Sequence, residues 1–311
     1  MSAILSVRGL TRRFGGLLAV DRISFDVPAG QVWGFIGPNG AGKTTTMRMC
    51  ATLDMPDAGD VLVDGRSILT EPEHARRRIG FMPDALGTYS YTTVAEYLDF
   101  FARAVGLAAE QRRQRIEAVV SFTDLGCLMD RMMDKLSRGM GQRLCLAKTL
   151  LHDPDVLILD EPANGLDPRA RVEFRELIRA LADQGKAVLI SSHILSELSE
   201  TCDGAVVIER GCVVRAGALR DLAVDLRRHE VLFVRTLGEV SLLERALAES
   251  PGVLGSRPER GGMLVDFAGG PELQAALLED LVRRGLKPVE FHGRQLNLED
   301  MFMSFTRGEV Q

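Results

Sequence analysis

A glycine-rich octapeptide early in the chain constrains the fold more than any other feature of the sequence. It follows a short apolar run and reads Gly37-Pro38-Asn39-Gly40-Ala41-Gly42-Lys43-Thr44. This spacing fits the phosphate loop G-x-x-x-x-G-K-(S/T), in which glycines let backbone N–H groups close around phosphate oxygens. The pattern predicts a strand at Val32 to Ile36, a turn, and a helix from about Lys43 whose N-terminal donors face the same anion.

The predicted side-chain contacts to a nucleotide come from Lys43, Thr44 and Thr45, the last two residues of this octapeptide and the residue after it. We expect the ammonium group of Lys43 to reach the β- and γ-phosphates of ATP, and the hydroxyl group of Thr44 to bind Mg²⁺. Thr45 is assigned to the same nucleotide site. The alternative is a glycine-rich turn that binds no ligand, and the strand before it and the helix after it argue against that alternative.

A second motif is an apolar run that ends in two carboxylates. The run Val156 to Leu159 predicts a buried strand, as does Ala187 to Ser191, and Asp160 and Glu161 follow the first of them directly. We expect Asp160 to lie in the Mg²⁺ shell and Glu161 to face the water that attacks the γ-phosphate. Many buried strands end in acids, so the pattern gains its specificity from its position behind a phosphate loop.

A third segment precedes these carboxylates and reads Leu136-Ser137-Arg138-Gly139-Met140-Gly141-Gln142-Arg143. Here the sequence resembles the ATP-binding-cassette (ABC) ATPase family, whose signature is Leu-Ser-Gly-Gly-Gln. Arg138 and Met140 depart from that pattern. The resemblance implies that Ser137 and Gly139 donate to the γ-phosphate of ATP held by a second copy of the chain, in a head-to-tail dimer. The alternative role for Ser137 is a helix N-cap, and the two roles are compatible.

Three further positions are assigned through the same resemblance. Asp167, in a Gly-Leu-Asp-Pro segment, corresponds to the D-loop that links the two sites of the dimer. His193 follows a predicted strand and is implied to contact the γ-phosphate and hold the attacking water, although a lone histidine is more often structural. Phe14 precedes a glycine turn where the family places an aromatic ring that stacks on adenine, and its alternative is core packing.

One position departs from the family pattern in a way that affects the metal site. The segment Ile79 to Asp84 resembles the Q-loop, but Asp84 replaces the usual glutamine. A carboxylate is a good ligand for Mg²⁺, so we assign Asp84 to the metal together with Thr44 and Asp160. The alternative is that Asp84 caps the helical insert or faces solvent.

The order of predicted elements divides the chain into two domains. Residues 1–220 are expected to form a P-loop ATP-binding domain of the ABC type, with a parallel-sheet α/β core, an antiparallel β lobe at the N-terminus and a helical subdomain at about 85–150. Residues 221–311 are expected to form a small α+β accessory domain. Its predicted order is β-α-β-β-α-β, which is typical of a ferredoxin-like fold, with a hairpin that turns on Gly261-Gly262.

Composition excludes several classes of protein and indicates which partners the chain needs. No apolar run approaches the roughly eighteen residues that a membrane span requires, so a membrane process would need a separate chain to span the bilayer. The resemblance implies that this partner is a transmembrane permease, contacted near Thr88 to Tyr97. The net charge of −5 argues against nucleic acid as a partner. The five cysteines form no C-x-x-C pair, which favours a reducing compartment. We expect a cytoplasmic protein, peripheral on the cytoplasmic face of the cell membrane.

Taken together, these motifs predict an ATPase whose catalytic residues are Glu161, His193 and Lys43, and which powers export. The export prediction depends on a segment near the end, Leu298-Glu299-Asp300-Met301-Phe302, which resembles the C-terminal extension of exporter ATPases for drugs, antibiotics, polysaccharides or ions. The alternatives are a non-transport ABC ATPase of DNA repair or the ribosome, another P-loop enzyme such as a kinase or GTPase, and a subunit that serves import or lipid movement.

Overall fold

The computed structural model describes residues 3–85, 87, 89–192, 201–219, 221–222 and 230–294. The chain divides into two compact units, and the boundary between them falls directly after Leu219. Within the described part of the chain, no helix is both long enough and apolar enough to span a lipid bilayer.

A six-stranded sheet forms the centre of the first unit. Its strands, in spatial order, are β10 (Cys212–Ala218), β9 (Gly204–Glu209), β3 (Val32–Ile36), β8 (Ala187–Ser192), β7 (Val156–Leu159) and β6 (Ile79–Met82). Strands β9 to β6 run parallel to one another, and β10 pairs antiparallel with β9. Because the carboxyl ends of parallel strands meet at one edge, this order brings the segments after β3, β6 and β7 together.

A second sheet of four antiparallel strands forms the N-terminal lobe that the sequence predicts. Its strands, in spatial order, are β2 (Leu17–Pro28), β1 (Ala3–Phe14), β4 (Ala58–Val63) and β5 (Arg66–Ser67). Strands β1 and β2 form a hairpin closed by the pair Phe14 and Leu17, with Gly15 in the left-handed region at φ 58°. This hairpin places Phe14 at a turn.

Six α-helices complete the described part of the first unit. They are α1 (Lys43–Cys50), α2 (Pro72–Arg78), α3 (Val94–Ala104), α4 (Ala109–Phe122), α5 (Arg138–Thr149) and α6 (Pro168–Asp183), with 3₁₀ turns at Gly126–Leu128 and Met133–Lys135. Helices α3 to α5 lie in the predicted helical subdomain. Helix α3 begins with a capping box, in which Thr93 accepts from the N–H of Glu96 and the Glu96 carboxylate accepts from the N–H of Thr93.

A continuous apolar core joins the two sheets to α1. The rings of Phe25 in β2 and Phe35 in β3 lie 5.3 Å apart between centroids, and Met47 of α1 is fully buried in the same cluster. Burying one such side chain stabilises the fold by about 1.5–3 kcal/mol. The strand and the helix on either side of the glycine-rich loop are therefore fixed by packing.

Over residues 230–294, the second unit contains one antiparallel sheet and two helices. Its elements are β11 (Glu230–Thr236), α7 (Val240–Ala248), β12 (Val253–Glu259), β13 (Gly262–Phe267), α8 (Pro271–Arg283) and β14 (Pro288–Arg294), and the strand order is β12-β13-β11-β14. This is the β-α-β-β-α-β order that the sequence pattern predicts. Its apolar core contains Leu232, Val234, Leu247, Met263, Phe267 and Leu281.

The position of the hairpin turn in this unit differs from the prediction by one residue. Glu259 pairs with Gly262, so the turn consists of Arg260 and Gly261, both at positive φ (46° and 77°). Gly262 belongs to strand β13, where a Cβ atom would lie 2.6 Å from the carbonyl oxygen of Val234. This glycine is needed for close approach of two strands, a requirement that the local sequence does not reveal.

Candidate functional site

A cleft of about 480 Å³ opens where the glycine-rich loop meets the carboxyl edge of the central sheet. This volume lies within the range of small-molecule sites, about 300–1,000 Å³. The structure therefore brings into one place residues that are far apart in the sequence. The cleft is lined by Phe14, Leu17, Ala19, Asn39, Gly40, Gly42, Lys43, Thr44, Thr45, Asp84, Glu161 and Asn164.

The glycines of the loop are required by the packing around it. Gly42 has φ 100°, and a Cβ atom there would lie 2.5 Å from the carbonyl oxygen of Ala19. A Cβ atom on Gly37 would lie 2.5 Å from the carbonyl oxygen of Ile208. The loop also contains a short turn, in which the N–H of Ala41 donates to the carbonyl of Pro38 at 3.1 Å. Larger residues would push the loop away from the strands that support it.

Lys43, the first residue of α1, is held under the loop by backbone contacts. Its Nζ atom donates to the carbonyl oxygens of Gly37 at 2.7 Å and Pro38 at 3.2 Å, and lies 3.8 Å from Oε1 of Glu161. Burial lowers the pKa of Lys43, and the nearby carboxylates of Glu161 and Asp160 partly offset that effect. A phosphate group beside this ammonium would supply further negative charge where water has been excluded.

The two acidic residues after β7 are joined by a serine from the neighbouring strand. Asp160 is buried, and its Oδ1 atom accepts a hydrogen bond from the Ser191 hydroxyl at 2.6 Å. The same hydroxyl accepts from the backbone N–H of Glu161 at 2.8 Å. Glu161 has φ 48°, a strained conformation for a residue other than glycine, and strain of this kind is common at functional sites. Ser191 therefore holds both acids in place.

The role of Ser191 was not predicted from the sequence, which marked it only as the end of a strand. The available signal is a small hydroxyl residue at the carboxyl end of a buried parallel strand beside the strand that carries the acids. Adjacent parallel strands place their carboxyl ends side by side, so such a residue faces its neighbour's functional groups.

Asp84 is exposed and lies at the wall of the cleft, and its backbone carbonyl accepts from the side chain of Gln142 at 3.3 Å. It does not cap α3, the first helix of the helical subdomain, because the N-cap there is Thr93. The described residues contain no group of three or more His, Cys, Asp or Glu side chains arranged to hold a metal ion. The oxygen donors of Thr44, Asp84 and Asp160 nevertheless fit Mg²⁺, which usually binds one or two carboxylates together with phosphate oxygens and water.

Phe14 lies on the cleft and outside the core. Its side chain is half exposed, so the alternative of core packing is wrong. The ring stands at the end of β1, on the same cleft as the glycine-rich loop. This position agrees with the predicted contact to a nucleobase, which stays a prediction.

Seven of the predicted site residues that the structure describes are not among those that line this cleft. Four of them belong to the glycine-rich loop or directly follow β7, namely Gly37, Pro38, Ala41 and Asp160, and the other three are Ser137, Gly139 and Asp167. Ser137 caps α5 by accepting from the N–H of Met140 at 3.3 Å. Together with Arg138 it lines a second cleft, which adjoins the first through Asp84 and Asn164. Gly139 lies in the first turn of the same helix. Asp167 caps α6, with its Oδ1 atom accepting from the N–H of Ala170 at 2.9 Å. His193 and the segment Leu298 to Phe302 lie outside the described residues.

Comparisons with known proteins identify the family. The model of the family "ABC transporter" matches residues 20–164. The Nod factor export ATP-binding protein I of Ralstonia nicotianae is 37% identical over 99% of this chain and 95% of its own length. The daunorubicin/doxorubicin resistance ATP-binding protein DrrA of Streptomyces peucetius is 34% identical over 97% of this chain and 92% of its own length.

A solved structure of an ATP-binding subunit of an ABC transporter is similar in fold. It superimposes with a TM-score of 0.65 at 28% identity, and the match covers 72% of this chain and 93% of the other. The relatives match the chain over nearly its whole length, and the cleft carries the phosphate-binding residues of the motif. The chain therefore belongs to the ABC transporter family, as one of its ATP-binding, ATP-hydrolysing subunits.

Proposed function

We propose that this ATPase powers export of a substrate through a separate membrane permease, with two copies of the chain closing on two ATP molecules. The observation that carries the proposal is the cleft itself, in which Lys43, Thr44, Asp84 and Glu161 converge. The similarity of the chain to ATP-binding proteins of Nod factor export and of daunorubicin and doxorubicin resistance supports export as the direction of transport.

The proposed dimer follows from where one copy places its signature residues. Ser137 is exposed at the start of α5 and lines a cleft that adjoins that of Lys43 through Asp84 and Asn164 but does not include Lys43. Because Ser137 and Gly139 do not line the cleft of Lys43, we propose that the γ-phosphate they contact is held by another copy. Asp167, which caps α6 close along the chain to Glu161, is proposed to link the two sites across the dimer.

Within each site, the protein positions the reactants and stabilises charge. Glu161 orients or deprotonates the attacking water, and Lys43 offsets charge on the β- and γ-phosphates. Mg²⁺, when bound by Thr44, Asp160 and Asp84, would neutralise further phosphate charge. His193 is proposed to hold the water at the γ-phosphate, and Phe14 to stack on adenine.

An aromatic surface on the helical subdomain is the proposed contact with the permease. All three tyrosines of the chain, Tyr89, Tyr91 and Tyr97, lie there with Phe100 and line one groove. Tyr91 is 92% exposed and Phe100 is 59% exposed, which is unusual for large aromatic side chains. Docking to a permease would cover these rings and place the chain at the cytoplasmic face of the membrane, with residues 221–311 as an accessory domain.

The experiment that tests the proposed function uses the variant Glu161→Gln. Removing the general base should slow hydrolysis at least about 100-fold while ATP still binds. The variant should then accumulate as an ATP-bound dimer in gel filtration with Mg-ATP. Glu110→Gln, on the exposed face of α4, is the matched control and should behave as wild type. A Glu161→Gln variant that binds ATP and remains monomeric would contradict the proposed dimer.

A further inference from the structure

The guanidinium group of Arg12 lies against the ring of Phe14. The Cζ atom of Arg12 is 5.0 Å from the ring centroid, within the range of a cation–π contact. Phe14 lines the nucleotide cleft, whereas Arg12 is not among its lining residues. Arg12 therefore contacts the ring without lining the cleft.

Asp57 holds Arg12 in this position. Its Oδ1 atom accepts from Nη1 of Arg12 at 3.0 Å, and its Oδ2 atom accepts from the backbone N–H of Arg13 at 2.6 Å. Nη1 of Arg12 also donates to the carbonyl oxygen of Met55 at 2.8 Å. The backbone N–H of Asp57 in turn donates to the carbonyl of Thr11 at 2.9 Å, so Asp57 is tied to β1 through both its backbone and its carboxylate.

The ring would be poorly fixed without this support. Phe14 is the last residue of β1, half exposed, and directly precedes the two glycines of the hairpin turn. A side chain at such a position has few neighbours and loses rotamer freedom when a ligand binds. The contact with the Arg12 cation restricts the Phe14 ring before a nucleotide binds.

We infer that Arg12, anchored by Asp57, is a positioning residue that holds the Phe14 ring for stacking on the flat base of a nucleotide. The free part of the ring borders the cleft beside Leu17 and Ala19, which offer apolar surface for the edge of a base. The arrangement favours ligands with a planar base over a bare triphosphate. This inference rests on the proposed nucleotide site, because Phe14 matters only if a nucleotide binds there.

The test separates recognition of the base from recognition of the phosphates. A fluorescent ATP analogue is displaced from the full chain with ATP and, in parallel, with inorganic tripolyphosphate. Arg12→Ala should weaken ATP binding about threefold to fivefold, the scale of one exposed cation–π contact. Its affinity for tripolyphosphate should match wild type. Asp57→Asn, which keeps Arg12 but removes the charge that anchors it, should show a smaller loss in the same direction.

A double-mutant cycle checks that Arg12 acts through Phe14. Phe14→Ala should weaken ATP binding, and adding Arg12→Ala to it should cause no further loss. Arg12→Lys should recover part of the affinity, because it keeps a cation near the ring. The matched control is Arg8→Ala on the same strand, which removes the Arg8–Asp26 ion pair (2.6 Å), does not touch the cleft and should bind both ligands as wild type does.

Two results would overturn the inference. Arg12→Ala with wild-type affinity for ATP would show that the ring needs no support, and an equal loss for ATP and tripolyphosphate would show a general effect on the site. Failure of the nucleotide site itself is recognised separately, because Lys43→Ala would then bind both ligands as well as wild type does.

Discussion

Replacing Ser191 with alanine removes the hydroxyl group that joins the two acids of the site. This hydroxyl donates to the buried Asp160 carboxylate at 2.6 Å and accepts from the N–H of Glu161 at 2.8 Å. The substitution changes little volume, so its effect should come almost entirely from these two hydrogen bonds.

The magnitude follows from the charge and burial of the partners. A hydrogen bond to a charged group contributes about 1.5–3 kcal/mol, and leaving a buried N–H without a partner costs about 1–3 kcal/mol. Glu161 lines an open cleft from which water can reach its N–H once the serine hydroxyl is gone. We therefore expect the free energy of unfolding of the first unit to fall by about 2–4 kcal/mol, below the simple sum.

ATP hydrolysis by Ser191→Ala should also be slower, because the Ser191 hydroxyl holds the backbone of Glu161 at φ 48°. Once that contact is lost, Glu161 can relax and its carboxylate moves away from the attacking water. We expect kcat to fall at least about tenfold, with a smaller change in KM for ATP.

The assay is urea denaturation followed by tryptophan fluorescence, together with steady-state ATPase kinetics. Trp33 is the single tryptophan of the chain, is buried in β3 and pairs with Leu189 of β8, so it reports on the first unit alone. Thr123→Val is the matched control. Its buried hydroxyl donates only to the local carbonyl of Val119 at 2.7 Å, so it should lose about 1 kcal/mol and keep wild-type kcat. A Ser191→Ala variant as stable and as active as this control would refute the reasoning.

Three further predictions address the charges of the cleft. Lys43→Ala should lose most ATP binding in a fluorescent-analogue titration, because the phosphates lose their nearest fixed positive charge, and unchanged affinity would contradict the site. Burial lowers the pKa of Lys43, and only its protonated form pairs with phosphate. ATP affinity should therefore be complete at neutral pH and should fall as pH rises, before the ordinary lysine pKa of about 10.4 is reached; a profile that is flat up to that pH would contradict this. Asp84→Gln should raise the Mg²⁺ concentration needed for half-maximal ATPase with a smaller effect on the maximal rate, and superimposable magnesium titrations would place Asp84 outside the metal shell.

Much of the fold and part of the site could be predicted because the signals are local in the sequence. The strand Val32–Ile36, the loop after it and the helix from Lys43 form one continuous segment whose backbone conformation its glycines determine. The run Val156–Leu159 with its two acids is equally local. The rule that parallel strands end at one edge then places Asp160 near Lys43 without further information.

Only the tertiary structure decided which side chains hold the acids and Phe14 in place. Ser191 bonds to an aspartate 31 positions away, and Arg12 bonds to a carboxylate 45 positions away. Nothing in the neighbourhood of either residue marks it, because a serine at a strand end and an arginine in a hairpin occur in many folds. By itself, the sequence determined which residues form the glycine-rich loop and carry the acids that are predicted to meet the phosphates. The packing of β7 against β8, and of β1 against the segment that leads into β4, decided how those groups and Phe14 are held, since such contacts exist only once the strands have paired.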